Sequence, residues 1–333
     1  MAATIERIDA LELDLDMADQ VAEVHSASIV TDGLPFQPKT GADVLTSRQL
    51  GFESRPVDAV LLAREGGRIV GEATVELPWR DNTDSAAVRL VVHPDARGRG
   101  LGGRLWRDVL GLVEDAGRSR VRNGAWIGTT AVDVLDHYGL HRAGVGVIRR
   151  IDLHATPAST WEALLVEAAA HGTEYEVFRQ VGSTPSAAVA DLVTLHASLN
   201  DAPRTDPGEQ ETAWDAQRLS DLENAMAGRR QTIYRVLARH RSTGEPAGQS
   251  MVCVNEFSPL EAFQEDTSVL HAHRGHRLGL LMKAEMLRWL VAERPEVRLL
   301  DTWNDATNHH MIAINERLGA RVVARRQGYT LSL

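Results

Sequence analysis

The stretch Val88-Arg-Leu-Val-Val-His-Pro-Asp-Ala-Arg-Gly-Arg-Gly-Leu-Gly102 decides how the chain is read. It runs as a short apolar strand, then an Arg-Gly loop, then the start of a helix. The helix carries Leu101, Leu105, Val109 and Val113 at every fourth position, the spacing of a core-facing stripe. The same plan returns at Asp266-Thr-Ser-Val-Leu-His-Ala-His-Arg-Gly-His-Arg-Leu-Gly279, where Leu278, Met282, Met286 and Leu290 form the stripe. Arg97 and Arg274 stand 274 − 97 = 177 residues apart, about one domain length.

Working outward, the flanks repeat too. Strand-like runs precede the loops at Ile69–Leu77 and Gly248–Val254, each after a turn signal. Helices downstream stop at Gly139 and Gly319, and final strands follow at Val145–Leu153 and Arg321–Leu331. A helical segment, Thr160–Ala170, lies between the copies, and the Pro-containing stretch Asn200–Gly208 reads as a loop in the second. The sequence thus predicts a mixed α/β chain of two like-folded domains, 1–155 and 174–333, joined by a helical linker at 156–173. Each has a central sheet flanked by helices.

Composition narrows the function classes. The charge sum, 36 − 46 = −10, disfavours a nucleic-acid surface. Cys253 is the only cysteine, which excludes an internal disulfide and a cysteine-rich zinc site and fits a reducing compartment. Its strand-like surroundings, Val252 and Val254, predict a buried core thiol. No apolar run reaches the roughly 18 residues of a membrane span, and the N-terminal run Met1–Arg7 has no signal-peptide core. The expectation is a cytoplasmic protein without nucleic-acid or membrane partners, as a monomer or homodimer.

A strand opening through glycines into a helix start presents unsatisfied backbone N–H groups and the positive end of the helix dipole, a site for phosphate. Read by itself, the loop is also compatible with an ordinary glycine turn. Gly98, Gly100 and Gly103 match a dinucleotide fingerprint literally. The loop, however, follows several strands, and no acid appears about 20 residues on. No Gly-Lys-Ser/Thr follows either, which disfavours a nucleoside-triphosphate loop.

At these residues the chain resembles the GNAT superfamily of acyl-CoA-dependent N-acetyltransferases, in particular the two-domain tandem type of actinobacteria, distantly like mycothiol synthase. The family's Arg/Gln-x-x-Gly-x-Gly/Ala motif fits Arg97 to Gly102 fully. It fits Arg274 to Gly279 with one departure, Arg277 in place of the middle glycine. Asn308, Asn315 and Gly319 partly match a second family signature, whose asparagine contacts the pantetheine arm of coenzyme A. The resemblance implies acetyl-CoA as co-substrate, no metal, and transfer of an acetyl group to the amine of a small molecule.

The coenzyme-binding residues it implies in the first copy are Leu90, Val91, Val92, Arg97, Gly98, Arg99, Gly100, Leu101, Gly102 and Gly103. In the second they are Val269, Leu270, Arg274, Gly275, His276, Arg277, Leu278, Gly279, Asn304 and Asn308. The family's general-acid tyrosine falls at Leu135 and at Asn315, so neither copy has it; Asn315 is carried as the catalytic position. Glu265 and Asp266, entering the second strand, are the candidate bases, with a solvated strand end as the bland alternative. The oxyanion donor is expected at a backbone N–H near Val92 or Leu270. Catalysis is expected in the second copy. The alternative is an acyl-CoA-binding sensor or scaffold without turnover, with one or both copies degenerate. The histidines at 271, 273, 276, 309 and 310 lack metal-ligand spacing.

Overall fold

The computed structural model describes residues 3–203, 206 and 208–333. Met1 and Ala2 of the N-terminal run, and Arg204, Thr205 and Pro207 of the expected loop, lie outside the described residues. The chain forms two compact units. The N-terminal unit contains Met1–Val145, Thr205–Gln210 and Ala324–Leu333; the C-terminal unit contains Gly146–Arg204 and Glu211–Val323.

In chain order the elements start with β1 (Thr4–Ile8), α1 (Leu15–Thr31), α2 (Gly41–Leu50), β2 (Ala59–Glu65), β3 (Arg68–Glu76) and β4 (Ser85–Val92). Then come α3 (Leu101–Asp115), β5 (Arg120–Trp126), α4 (Ala131–His137) and β6 (His141–Asp152). There follow α5 (Ala158–Ala169), β7 (Tyr175–Val181), α6 (Val189–Ala197), α7 (Ala216–Gly228), β8 (Gln231–His240) and β9 (Pro246–Asn255). The chain ends with β10 (Glu261–Val269), α8 (Leu278–Glu293), β11 (Leu299–Asp305), α9 (His309–Arg317) and β12 (Arg321–Ser332).

In the N-terminal unit the sheet runs β1-β2-β3-β4-β5 and closes with the end of β12, antiparallel to β5 from Arg326↔Trp126 to Ser332↔Arg120. In the C-terminal unit the order is β6-β11-β10-β9-β8-β7, with β6 antiparallel to β11 from Asp152↔Leu299 to Gly146↔Asp305. Each sheet has one parallel pair, β4–β5 and β10–β11. A parallel neighbour needs a crossover, and α3 and α8 supply it. Their stripes are buried as the periodicity required: Leu105, Val109 and Val113 on α3, Met282, Met286 and Leu290 on α8. Cys253 is buried, its Sγ 3.6 Å from Met226 Sδ.

The linear division at 155–173 is therefore replaced by an exchange of final strands. Residues 146–152 complete the C-terminal unit and 324–333 the N-terminal one, and the expected linker is α5, a core helix whose buried Trp161 donates Nε1–H to Leu318 O at 3.1 Å. The pattern of a strand fixes its two faces but not its partner, so either strand could read as the end of its own copy. The expected loop in the second copy is corrected in part. Residues 206 and 208–210 belong with the N-terminal unit, where Glu209 pairs with Arg122 at 2.6 Å and Gln210 and Asn82 bond each other's backbone N–H at 2.8 Å.

Tyr329 lies in the core of the N-terminal unit, 1% exposed, its hydroxyl 3.0 Å from Asp136. Tyr329→Ala should cost about 3–5 kcal/mol, as for other buried aromatic truncations. In hydrogen exchange the lost protection should fall on β4 and β5, residues 85–92 and 120–126. Loss confined to 146–323 would contradict the strand assignment.

Candidate active site

Each unit builds its loop in the same way. The loop turns through Gly98 (φ +75°) and Gly100 (φ +77°) in the N-terminal unit, and through Gly275 (φ +89°) and Arg277 (φ +55°) in the C-terminal one. All four are left-handed, a conformation free for glycine and strained by about 1–2 kcal/mol for a residue with a Cβ. A Cβ at Gly98 or Gly100 would meet nothing within 4 Å, so the loop is open to a ligand. Neither α3 nor α8 has a side-chain cap at its start, whereas α1, α2, α7 and α9 are capped by Asp14, Thr40, Asp215 and Asn308. The first N–H groups of α3 and α8 therefore lack the partner that a capping oxygen gives.

The loop arginines are not turned toward that opening. Arg97 donates Nε to Val92 O (3.1 Å), both Nη atoms to Asp32 (2.7 and 2.9 Å) and Nη2 to Ser28 Oγ (2.7 Å). The Arg97 hydrogen bond holds the Asp32 carboxyl below its usual range. Arg274 repeats the arrangement, with Nε to Val269 O at 3.1 Å and a pair to Asp201. Both side chains brace the loop to a helical segment earlier in the chain, which gives them a positioning role. Arg99 pairs with Glu65 at 3.2 Å, and Arg277 turns to Glu167, whose other oxygen takes Arg317 at 2.6 Å.

Beside each loop the parallel strands part. β4 and β5 pair only at Ser85–Ala87 with Arg120–Arg122, and β10 and β11 only at Glu261–Gln264 with Leu299–Thr302. Backbone groups of an antiparallel strand turn alternately toward and away from its partner. His93 N–H is bonded to Val70 O and Leu270 N–H to Ala247 O, so Val92 and Val269 face the fork. Near Leu270, the backbone N–H that faces the fork is therefore that of Val269. Leu90, like Val92, faces the fork, whereas Val91 is turned to β3. Gly102 and Gly103 lie in the first turn of α3; a Cβ on Gly103 would come 2.7 Å from the Tyr138 hydroxyl.

The forks differ in chemistry. β4 pairs with β3 without interruption. β10 carries a bulge, with Gln264 opposite Val252 but Thr267 opposite Ser250, so Glu265 and Asp266 both face Met251. Burial, then the adjacent Asp266 carboxylate, push Glu265 up to about 7, against the Arg229 charge. Asp266 Oδ2 lies 3.2 Å from Nδ1 of His196, a fully buried ring stacked on Trp214 with centroids 4.4 Å apart.

On the α8–α9 side of the same fork a small cavity is lined by Ile151, Gln264, Lys283, Leu287, Leu300, Thr302, Asn315 and Leu318. Asn315 is buried and donates Nδ2–H to Asn304 Oδ1 at 2.7 Å. An amide has no proton to give at neutral pH, so Asn315 does not replace the tyrosine as a general acid. Asn308 caps α9 by accepting from Met311 N–H at 3.2 Å. His273 Nδ1 lies 3.2 Å from the Tyr175 hydroxyl and His276 packs on the same ring, while His309 and His310 are exposed.

Sequence reasoning missed a buried charge cluster in the N-terminal unit. Glu72, 2% exposed on β3, accepts two bonds from Arg48 of α2 (2.8 and 2.9 Å), and lies 2.7 Å from His25 Nε2 of α1. Burial opposes its ionisation, yet the Arg48 charge and hydrogen bonds, joined by His25, hold Glu72 well below the usual carboxylate range. It also missed Tyr138, Lys283 and His196. No motif marks them, since they meet only through packing.

Two units with a glycine loop at a helix start, and a forked parallel pair beside it, define the acyl-CoA transferase fold of tandem GNAT proteins. The chain aligns with a tandem GNAT protein from the clavulanic acid biosynthesis pathway at TM-score 0.80 and 25% identity, over 99% of this chain and 98% of that one. It also aligns with a GCN5-related N-acetyltransferase from Sphaerobacter thermophilus at TM-score 0.68 and 15% identity, over 98% and 95%, a likeness of fold alone. Residues 28–144 match the acetyltransferase (GNAT) family. The chain thus has the fold of tandem GNAT proteins, and the family match lies in its N-terminal unit. No curated protein sequence matches it. Among the described residues no group of three or more metal-ligating side chains is placed to hold an ion, and no helix is long and apolar enough to cross a membrane.

The Glu72 cluster generates a stability prediction. Arg48→Met leaves a buried carboxylate without its main partner and should cost about 3–5 kcal/mol at pH 7. Because the folded-state value of Glu72 is depressed, its stabilisation is present above the unfolded carboxyl value, near 4.5, and is lost as pH falls below it. Without Arg48 the buried carboxyl protonates more readily, so the penalty should shrink between pH 7 and pH 5. Urea unfolding at both values checks this; an equal penalty at both would show that Glu72 does not depend on Arg48.

Proposed function

We propose that the chain is an acyl-CoA-dependent N-acyltransferase, taking acetyl from acetyl-CoA to the amine of a small molecule, with the chemistry in the C-terminal unit. The observation that carries the assignment is the bulge at Glu265 and Asp266 beside the β10–β11 fork. A carboxyl pushed up to about 7 suits a general base at neutral pH.

Coenzyme A fits the residues present. Its pyrophosphate would sit on the uncapped starts of α3 and α8, and the pantetheine arm would run along the backbone groups that Val92 and Val269 turn to the forks. When bound it supplies the thioester. Glu265, directly or through a water, takes the proton of the acceptor amine; a backbone N–H of β10 facing the fork, Val269 first, stabilises the carbonyl oxygen as it becomes an oxyanion.

A second reading is favoured for the N-terminal unit alone. Its β4 has no bulge, and Val88 stands 177 residues before Glu265. That unit reads as an acyl-CoA-binding sensor or scaffold without turnover. The single cysteine suits a reducing, cytoplasmic setting, and the net charge of −10 suits a cationic acceptor by steering.

Calorimetric titration with acetyl-CoA should show two binding events. Gly100→Glu places a Cβ and a negative charge where phosphate would lie and should remove one of them while thiol release persists. An unchanged titration would make the first loop a plain turn.

Turnover is read as free-thiol release against a panel of amines, amino acids and amino sugars. Glu265 must be ionised to act, so the rate should rise with pH through about 7. Glu265→Gln should flatten that limb and lower kcat about 10²- to 10³-fold. A full rate in Glu265→Gln would remove it as the base.

A further inference from the structure

Lysine occurs twice in the 333 residues, against 36 − 2 = 34 arginines. Lys39 is on the surface beside Asp43. Lys283 is 4% exposed, in the middle of α8, and faces the small cavity at the β10–β11 fork. Its amine has no ion-pair or hydrogen-bond partner among the described residues. Lysine is almost never fully buried without a pairing charge, so a stabilising role in the empty fold does not explain it.

The cavity places the amine. Gln264 and Thr302, which help line it, form the last rung before β10 and β11 part. Asn315 reaches it from α9. Of all the lining residues Lys283 alone carries an ionisable group. Arg149 stands opposite Thr302 on β6, 4.0 Å from Glu316 of α9, and a guanidinium gives up no proton at neutral pH. In the N-terminal unit the residue 177 positions earlier is Trp106, stacked on Tyr138. The amine is therefore particular to the unit that also carries the bulge.

We propose that Lys283 is the catalytic proton donor to the coenzyme A thiolate as it leaves. The inference rests on the reading of the C-terminal unit as an acyl-CoA-dependent transferase. In the step the acceptor nitrogen forms its bond to the acyl carbon and the C–S bond breaks. The Nζ proton passes to sulfur, leaving free thiol and a neutral lysine. The acceptor's proton rests on Glu265, and exchange with water resets both groups. Glu265 and Gln264 are neighbours on β10 with side chains on opposite faces. The base and the acid thus approach the fork from its two sides, as transfer between amine and thiol requires. Burial pulls the Lys283 ammonium down to about 7, which lets it act as an acid near neutrality.

The test follows the thiol of bound coenzyme A by its ultraviolet thiolate absorbance, in the full chain. With Lys283 beside the sulfur, the bound thiol should ionise at lower pH than free coenzyme A. In Lys283→Met, an apolar chain of similar length, that value should move up by about one unit or more. Any signal from the N-terminal unit is common to both proteins and cancels. Lys283→Arg should restore the easier ionisation but not turnover, because its charge is permanent. As a check independent of variants, the wild-type preference for coenzyme A over desulfo-coenzyme A should rise with pH.

An unchanged thiol titration in Lys283→Met, or a flat preference in the wild type, overturns the assignment while leaving coenzyme A binding intact. So does an acetyl group found on Lys283 by intact-protein mass spectrometry during turnover, which would make it an acceptor. Absence of coenzyme A binding at the second loop in calorimetry defeats the transferase reading, and this inference with it.

Discussion

A guanidinium in each unit ties the last carbonyl of a strand to a carboxylate on the preceding helical segment, and the geometry beside the fork depends on that tie. Arg97 joins Val92 O to Asp32; Arg274 joins Val269 O to Asp201. A charge-assisted bond of this kind is about twice as strong as a neutral one. It holds the loop in its left-handed turns, so that the helix start stays open. Were the arginine free to follow a ligand, the loop would lose the brace that shapes it.

The two units show how one backbone plan is set to different chemistry by a few positions. Where the N-terminal fork has Val88 and Trp106, the C-terminal fork has Glu265 and Lys283. One pair excludes water and titrates nothing. The other puts two ionisable groups, both shifted to about 7, on either side of the parting strands. Buried groups of that kind are unfavourable for folding, and such shifts gather where proton transfer is needed. The N-terminal unit concentrates its buried charge elsewhere, at Arg48, Glu72 and His25, where a full set of partners satisfies the carboxylate.

The sequence by itself determined the repeat, the strand-loop-helix order, the buried stripes of α3 and α8, and the glycine loops, because each depends on short-range spacing. Periodicity dictates which face is buried, and glycine dictates where the chain can turn left-handed. Glu265 and Asp266 were legible as acids, but the strand entry expected of them is the middle of β10, which begins at Glu261; Asn308 was legible as a residue ahead of the last helix.

Only the tertiary structure decided the rest. It exchanged the final strands between units, since strand pattern names no partner. It turned Arg97 and Arg274 to carboxylates 65 and 73 residues away. It gave Glu265 its shift by burying it on the bulge, and it set Lys283 against Gln264, Thr302 and Asn315, residues brought together from three other elements. Proton affinity and ligand access depend on what is packed around a group, and packing between distant segments leaves no mark in the local order of residues.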